Sequence, residues 1–288
     1  MTLEFKEPEF SQKETVDRAI RETDCRLCDQ TFGNFFCWSG GFDVGLWTYK
    51  ESFSGRWGKW HTAPIGPQRK EMLDQLMAEG VDFFIGLDEE YCTWLEEQYP
   101  GRFTFRERRN SADYIYDRQK LETLVGKKLA AKRNHINYFE QNFKWETRPL
   151  TAENMEEVLA FSRRWCHDNN CAQEPGLERE TCAVRRGLRH FKELGYTGLV
   201  LYANGEICAF TFGEPIGKEG FCVHAEKADA KIRGAYPMIN REFVRSLPEG
   251  VRWINREDDT GDEGLRRAKL SYQPELLLMK YEAEVIKS

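Results

Sequence analysis

The sequence has no run of apolar residues near the roughly 18–20 that a membrane-spanning helix requires, and its first twenty residues are charged instead of signal-like. A cytoplasmic location is the expectation. It also lacks a disulfide framework. Its nine cysteines, an odd number, are scattered from Cys25 to Cys222, so free thiols are expected. Cys25 and Cys28 form half of a zinc ligand set, but no second pair follows at zinc spacing. Gly40 and Gly41 are not accompanied by the lysine and hydroxyl of a phosphate-cradling P-loop. Cys166 and His167 are neighbours on a helix and so do not face each other, which weighs against a thiol nucleophile. There is no low-complexity tract and no visible internal repeat. No metal and no tightly bound cofactor is expected.

Apolar and aromatic residues are plentiful. With 40% hydrophobic residues, 19 Phe, 11 Tyr and 8 Trp, the chain has material for real cores, and 288 residues suffice for two domains of ordinary size. The net charge of -6 argues against a surface coated for nucleic acid or an acidic membrane. The distribution is uneven, however: Arg102–Arg133 holds ten Lys/Arg against four Asp/Glu, a balance of +6, so the remainder carries -12. Such a basic segment is either a solvated helix face or a site for an anionic ligand such as a phosphate.

Along the chain, strands and helices alternate, which predicts an α/β protein. A polar helix is expected over 11–24. Aromatic strand-like pieces follow at Phe35–Trp38, Gly45–Tyr49 and Trp60–Ala63. A helix from Pro67, a buried strand over Asp82–Leu87, a helix capped by Asp88 and a strand over Arg102–Arg109 complete the first half. One long helix is expected over 118–143, its stripe of Leu129, Ile136, Phe139 and Phe143 packing at the boundary between halves near 143–150. The second half reads as two helices, a three-stranded meander whose first hairpin turns at Asn204-Gly205, a helix, a strand, a helix, and a last strand over Leu276–Val285. That element order is the one found in Gcn5-related acetyltransferases.

Three groups of residues carry possible chemistry. Lys132 falls in the middle of the apolar stripe, so it must be ion-paired, snorkel outward or face a ligand. Lys231-Ile232-Arg233-Gly234-Ala235 leads into a helix start, whose N–H groups and dipole suit a pyrophosphate or simply form a tight turn. The strand ending at Asn255, Arg256 and Glu257 feeds a Gly-rich turn and a helix bearing Lys269, followed by Tyr272; α/β sites usually lie at such strand ends.

The run Lys132-Arg133-Asn134-His135-Ile136-Asn137, with Asp113-Tyr114-Ile115-Tyr116 before it and the stretch 255–274 after it, resembles the C-terminal domain family of the phosphatidylglycerol lysyltransferases. The matching motifs span about 113–280. The resemblance implies a tandem of two acetyltransferase-like (GNAT) domains, 1–145 and 146–288, each a mixed sheet flanked by helices. It also implies acyl or aminoacyl transfer from an anionic donor, aminoacyl-tRNA or acyl-coenzyme A, to an amine or hydroxyl. In this reading Asn255 assists the carbonyl, Glu226 or Glu257 is the base and Tyr272 protonates the leaving group. Lys132, Arg133, His135, Arg233, Gly234, Arg256 and Lys269 hold the donor. The competing class is a non-catalytic module on the same fold that binds RNA or a phosphorylated metabolite.

Overall fold

The computed structural model describes residues 3–287. Helix α1 (Lys13–Thr23) is followed by α2 (Phe32–Trp38). The aromatic run of α2 is helical and not the strand expected: Thr31 accepts a hydrogen bond from Asn34 N, and Phe32, Phe35 and Phe36 are then buried on one side. Strands β1 (Val44–Tyr49), β2 (Ser52–Trp57) and β3 (Trp60–Thr62) form a meander. Then come α3 (Arg69–Ala78), β4 (Phe83–Leu87), α4 (Glu89–Gln98), β5 (Phe103–Glu107) and β6 (Asp113–Asp117). The expected long helix is broken into α5 (Arg118–Thr123) and α6 (Ala130–Asn142), because Leu124 and Gly126 take left-handed φ values of 51° and 102°.

The second half runs β7 (Trp145–Pro149), α7 (Met155–Asp168), α8 (Pro175–Arg189), α9 (Phe191–Leu194), β8 (Thr197–Ala203), β9 (Glu206–Ile216) and β10 (Gly220–Ala228). After these come α10 (Ala235–Ser246), β11 (Trp253–Asn255), α11 (Glu263–Leu270), β12 (Leu276–Leu278) and β13 (Tyr281–Val285). The Asn204-Gly205 turn is present, both residues at positive φ as such a hairpin demands. The single last strand expected over Leu276–Val285 is two strands that belong to different sheets.

The fold class is mixed α/β with two mixed sheets flanked by helices. In space the strands order as β1-β2-β3-β4-β13-β5 in the first sheet and β12-β6-β11-β10-β9-β8-β7 in the second. Each sheet has an antiparallel meander, a parallel pair (β3/β4 and β10/β11) and then one strand from the other half. Strand β13 is inserted antiparallel between β4 and β5, and β6 is inserted antiparallel between β11 and β12. The two halves thus exchange their last strands across residue 145.

One buried core unites both sheets, joining Leu46, Phe53 and Phe84 of the first to Val200, Phe210 and Phe212 of the second. A separate core lies on the other face of the second sheet, where α5 and α6 pack on α10. Leu129, Ile136 and Phe139 are buried there, so the stripe finds its partner surface on α10 and the outer face of the second sheet, both formed largely by the second half.

Candidate functional site

Strands β10 and β11 are parallel, and their pairing ends at Cys222 and Asn255. Beyond that point the strands part and turn polar, with His224 and Glu226 on one and Arg256 and Glu257 on the other. A β-bulge between Val223 and Ala225 inverts the side-chain alternation of β10. As a result His224 faces the core shared with the first half, while Glu226 faces α10. The pair on β11 divides in the same way, and Glu257 stands at φ 57°, a left-handed conformation costing about 1 kcal/mol for a residue other than glycine.

On the α10 side Arg256 Nη2 donates to Glu226 Oε1 at 2.8 Å, and Asn240 Nδ2 donates to Glu226 Oε2 at 2.9 Å. The Arg256 guanidinium lies 4.7 Å from the Tyr272 ring centre and 5.6 Å from that of Tyr116. Lys132 Nζ sits 4.0 Å from the centre of the same Tyr272 ring. Burial, then the positive charge of Arg256, pushes the Lys132 ammonium down to about 8 against the pull of Glu226. Two cations therefore stand on one tyrosine ring, and only Arg256 is paired with the carboxylate of Glu226. Arg256 Nη1 and Asn240 Oδ1 are buried without a hydrogen-bond partner, so the cluster has donor and acceptor capacity left for a ligand. The Tyr272 hydroxyl is pushed up by burial, hence it stays protonated at neutral pH.

The other residues expected in the site divide into two sorts. Lys269 is turned inward: its Nζ donates to Arg256 O at 2.6 Å and also to Asp258 O, tying down the turn after β11, so it is not free to hold a phosphate. Asn255 is fully buried, its amide donating to Asp113 Oδ2 and Arg26 O, both at 2.8 Å, and its oxygen accepting from Glu257 N at 2.7 Å. It positions Glu257 and cannot reach a substrate carbonyl. Arg133 donates to Gly126 O at 2.7 Å and to Leu124 O, closing the break between α5 and α6. One helical turn beyond Lys132, Arg233 Nε meets His135 Nδ1 at 3.4 Å and its guanidinium covers Tyr138. Gly234, at φ 94°, lies so close to α6 that a Cβ there would stand 2.3 Å from His135 O. The structure thus brings Lys132, Arg256, Glu226 and Tyr272 together, with exposed Arg233 and His135 and the buried Gly234 as a neighbouring group.

A profile of the family described as phosphatidylglycerol lysyltransferase, C-terminal, matches residues 22–284. The chain belongs to that family. A conserved protein of unknown function from Bacteroides thetaiotaomicron is 40% identical, with a TM-score of 0.93 over 99% of this chain and all of that one. Two more distant solved structures share the fold. The C-terminal domain of an assigned lysylphosphatidylglycerol synthetase from Agrobacterium fabrum is 16% identical, with a TM-score of 0.65 over 97% of this chain and 93% of that one. The L-PGS of Bacillus licheniformis is 17% identical, with a TM-score of 0.60 over 85% of each chain. Among the described residues of this family member, no helix is long and apolar enough to cross a membrane.

On the other side of the parting strands sequence reasoning named Glu257 but missed His224, Glu214 and Asn34, which surround it. His224 Nδ1 is 2.9 Å from Glu257 Oε1 and its Nε2 is 2.9 Å from Glu214 Oε1. Asn34 Nδ2 also donates to Glu257 Oε1 at 3.3 Å, and Gly33 N to Glu214 Oε1 at 3.2 Å. Burial disfavours the imidazolium, but the carboxylates of Glu214 and Glu257 on its two nitrogens outweigh it and push His224 well up. Cys222, His224 and Glu257 have the grouping of a metal triad. Both imidazole nitrogens are already engaged by carboxylate oxygens at 2.9 Å, however, and burial pushes the Cys222 thiol up to about 12. The signal for this cluster was a His and a Glu placed within otherwise apolar strands.

Proposed function

We propose that this protein transfers an aminoacyl group from aminoacyl-tRNA to an amine or hydroxyl acceptor, in the gap where β10 and β11 part. The observation that carries the reading is the convergence of Lys132 and Arg256 on the ring of Tyr272, with one carboxylate, Glu226, paired to Arg256 and a guanidinium nitrogen left over. Membership of the lysyltransferase family supports it. An acyl-coenzyme A donor would satisfy the same cations.

In this reading the donor enters on the α10 face, its phosphate or carbonyl oxygen meeting Arg256 Nη1 and Lys132. Glu226 does not act as the base, since Arg256 and Asn240 occupy both its oxygens; it fixes the guanidinium. The acceptor approaches from the Glu257 side. Its N–H or O–H loses a proton to Glu257, whose carboxylate is partly exposed and whose hydrogen bonds converge on Oε1. The acceptor atom bonds to the ester carbonyl carbon, and the cations stabilise the oxyanion. The carbon–oxygen bond to the ribose then breaks, and the departing oxygen takes a proton from Tyr272.

The test is incubation with tRNA carrying a labelled aminoacyl group and a panel of amine and hydroxyl acceptors. Label recovered in a new amide or ester, and lost with Arg256→Met, supports transfer. Label recovered wholly on intact tRNA would instead mean a module that binds without turning over.

A further inference from the structure

A second group of cations lies on the other side of the second sheet, at the end of α8. Arg185, Arg186 and Arg189 on one face of the helix end, and His190 just past it, line a cavity of about 310 Å³ with Gly40 and Cys182. Cations are favoured at a helix C-terminus by the dipole, which accounts for their residue type. It does not account for their arrangement. Arg186 lies over Phe36, 4.4 Å from the ring centre, and His190 meets the same ring edge-on at 5.1 Å, so one aromatic floor fixes both. Gly40 makes room, since a Cβ there would be 3.1 Å from Arg186 Cδ. Arg186 Nε and His190 Nδ1 are nonetheless buried with no hydrogen-bond partner. The carboxylate of Glu7, 3.2 Å from Arg186 Nη2, is the one acidic partner of the three arginines among the described residues. Arg185 donates to Thr181 O at 3.4 Å, and Arg189 is exposed. Glu193 Oε1 lies 3.7 Å from His190 Nδ1, so the three guanidinium groups and the imidazole face two carboxylates, Glu7 and Glu193, and the balance around the cavity stays positive.

We propose that this cavity is a phosphate-binding site, separate from the gap between β10 and β11. Its charge fits a phosphate group, its volume leaves room for part of the molecule that carries the phosphate, and guanidinium forks are the matching donors. The phosphate belongs either to a small phosphorylated molecule or to an RNA strand. For the second source the same surface offers Phe42, 38% exposed and covered by Arg179 at 4.6 Å, on which a base can stack.

The experiment measures binding of inorganic phosphate by calorimetry and of a fluorescent 12-nucleotide RNA by anisotropy, on the full chain and on the double variant Arg185→Gln/Arg189→Gln. Arg189→Gln alone, at an exposed position, serves if the double variant melts at lower temperature. A tenfold or greater loss of phosphate affinity supports the site. A matching loss for RNA only, with the slope of log affinity on log salt reduced by about 0.7 per arginine, assigns it to an RNA backbone. If neither ligand binds, or both bind the variants as tightly as the parent, the proposal is overturned.

Discussion

Lys280 Nζ lies 2.8 Å from Asp113 Oδ1, and each residue stands at the head of an exchanged strand. Asp113 opens β6, which crosses into the second sheet, and Lys280 immediately precedes β13, which returns to the first. Asp29 joins Lys280 at 2.6 Å, and Cys28 N and Asn255 Nδ2 donate to Asp113 Oδ2, both at 2.8 Å. Both side chains are almost wholly buried. The charges of Asp113 and Asp29 push the Lys280 ammonium well up despite its burial.

Lys280→Met should therefore destabilise the protein by about 3–5 kcal/mol, because the Asp113 carboxylate is left buried and unpaired. Replacing both, as Asp113→Leu/Lys280→Met, should recover part of that loss. Since the folded Lys280 is raised above its ordinary 10.5, the contribution is complete below that pH and is lost only as pH rises beyond it. Urea denaturation at pH 7 measures the first two effects. Equal stability of Lys280→Met and the parent would show that the pair does not lock the exchange.

The meander of the second half was legible because the Asn-Gly turn and alternating apolar runs are local signals. The helix α2 was not, since Phe35, Phe36 and Trp38 favour strands intrinsically and only tertiary packing makes them helical. The strand exchange is invisible for a related reason: Leu276–Val285 reads as one continuous strand, and nothing local says that it changes sheet at Lys280. In the site, the motif residues were found while half their directions were not. The bulge at His224 and the left-handed Glu257 decide which face each side chain takes, and neither is written in residue type.

Asp258 gives a stability effect of opposite sign. Burial, with Asp29 and Asp113 nearby, pushes its carboxyl from 3.8 up to about 7 against the pull of Lys280 and Lys269. The folded state thus disfavours the ionised form. The cost is absent below the unfolded value, grows between 3.8 and 7 and is complete above that. Asp258→Asn should raise stability by on the order of 1–4 kcal/mol at pH 8 and change it little at pH 4. Thermal melts at the two pH values decide this, and a variant less stable at pH 8 would contradict it.

Lys132 separates ligand binding from fold stability. Its ammonium is pushed down from 10.5 to about 8, so in the free protein the charge is a cost below pH 8 that disappears between 8 and 10.5. Solvent screens this half-buried group, so the cost is modest, and Lys132→Met keeps the chain length while losing only the cation–π contact with Tyr272. Its melting temperature at pH 7 should equal or exceed that of the parent. An anionic donor reverses the balance: a phosphate beside Lys132 favours the ammonium, so donor affinity should fall as pH rises through about 8. The variant should bind coenzyme A or an aminoacylated RNA hairpin about 10- to 100-fold more weakly, as expected for one charged hydrogen bond. Its affinity should also lose the fall near pH 8. Calorimetric titrations of parent and variant from pH 6.5 to 9.5 provide both readings. A variant that binds normally but melts at much lower temperature would make Lys132 a structural residue and remove the cation on which the proposed donor site depends.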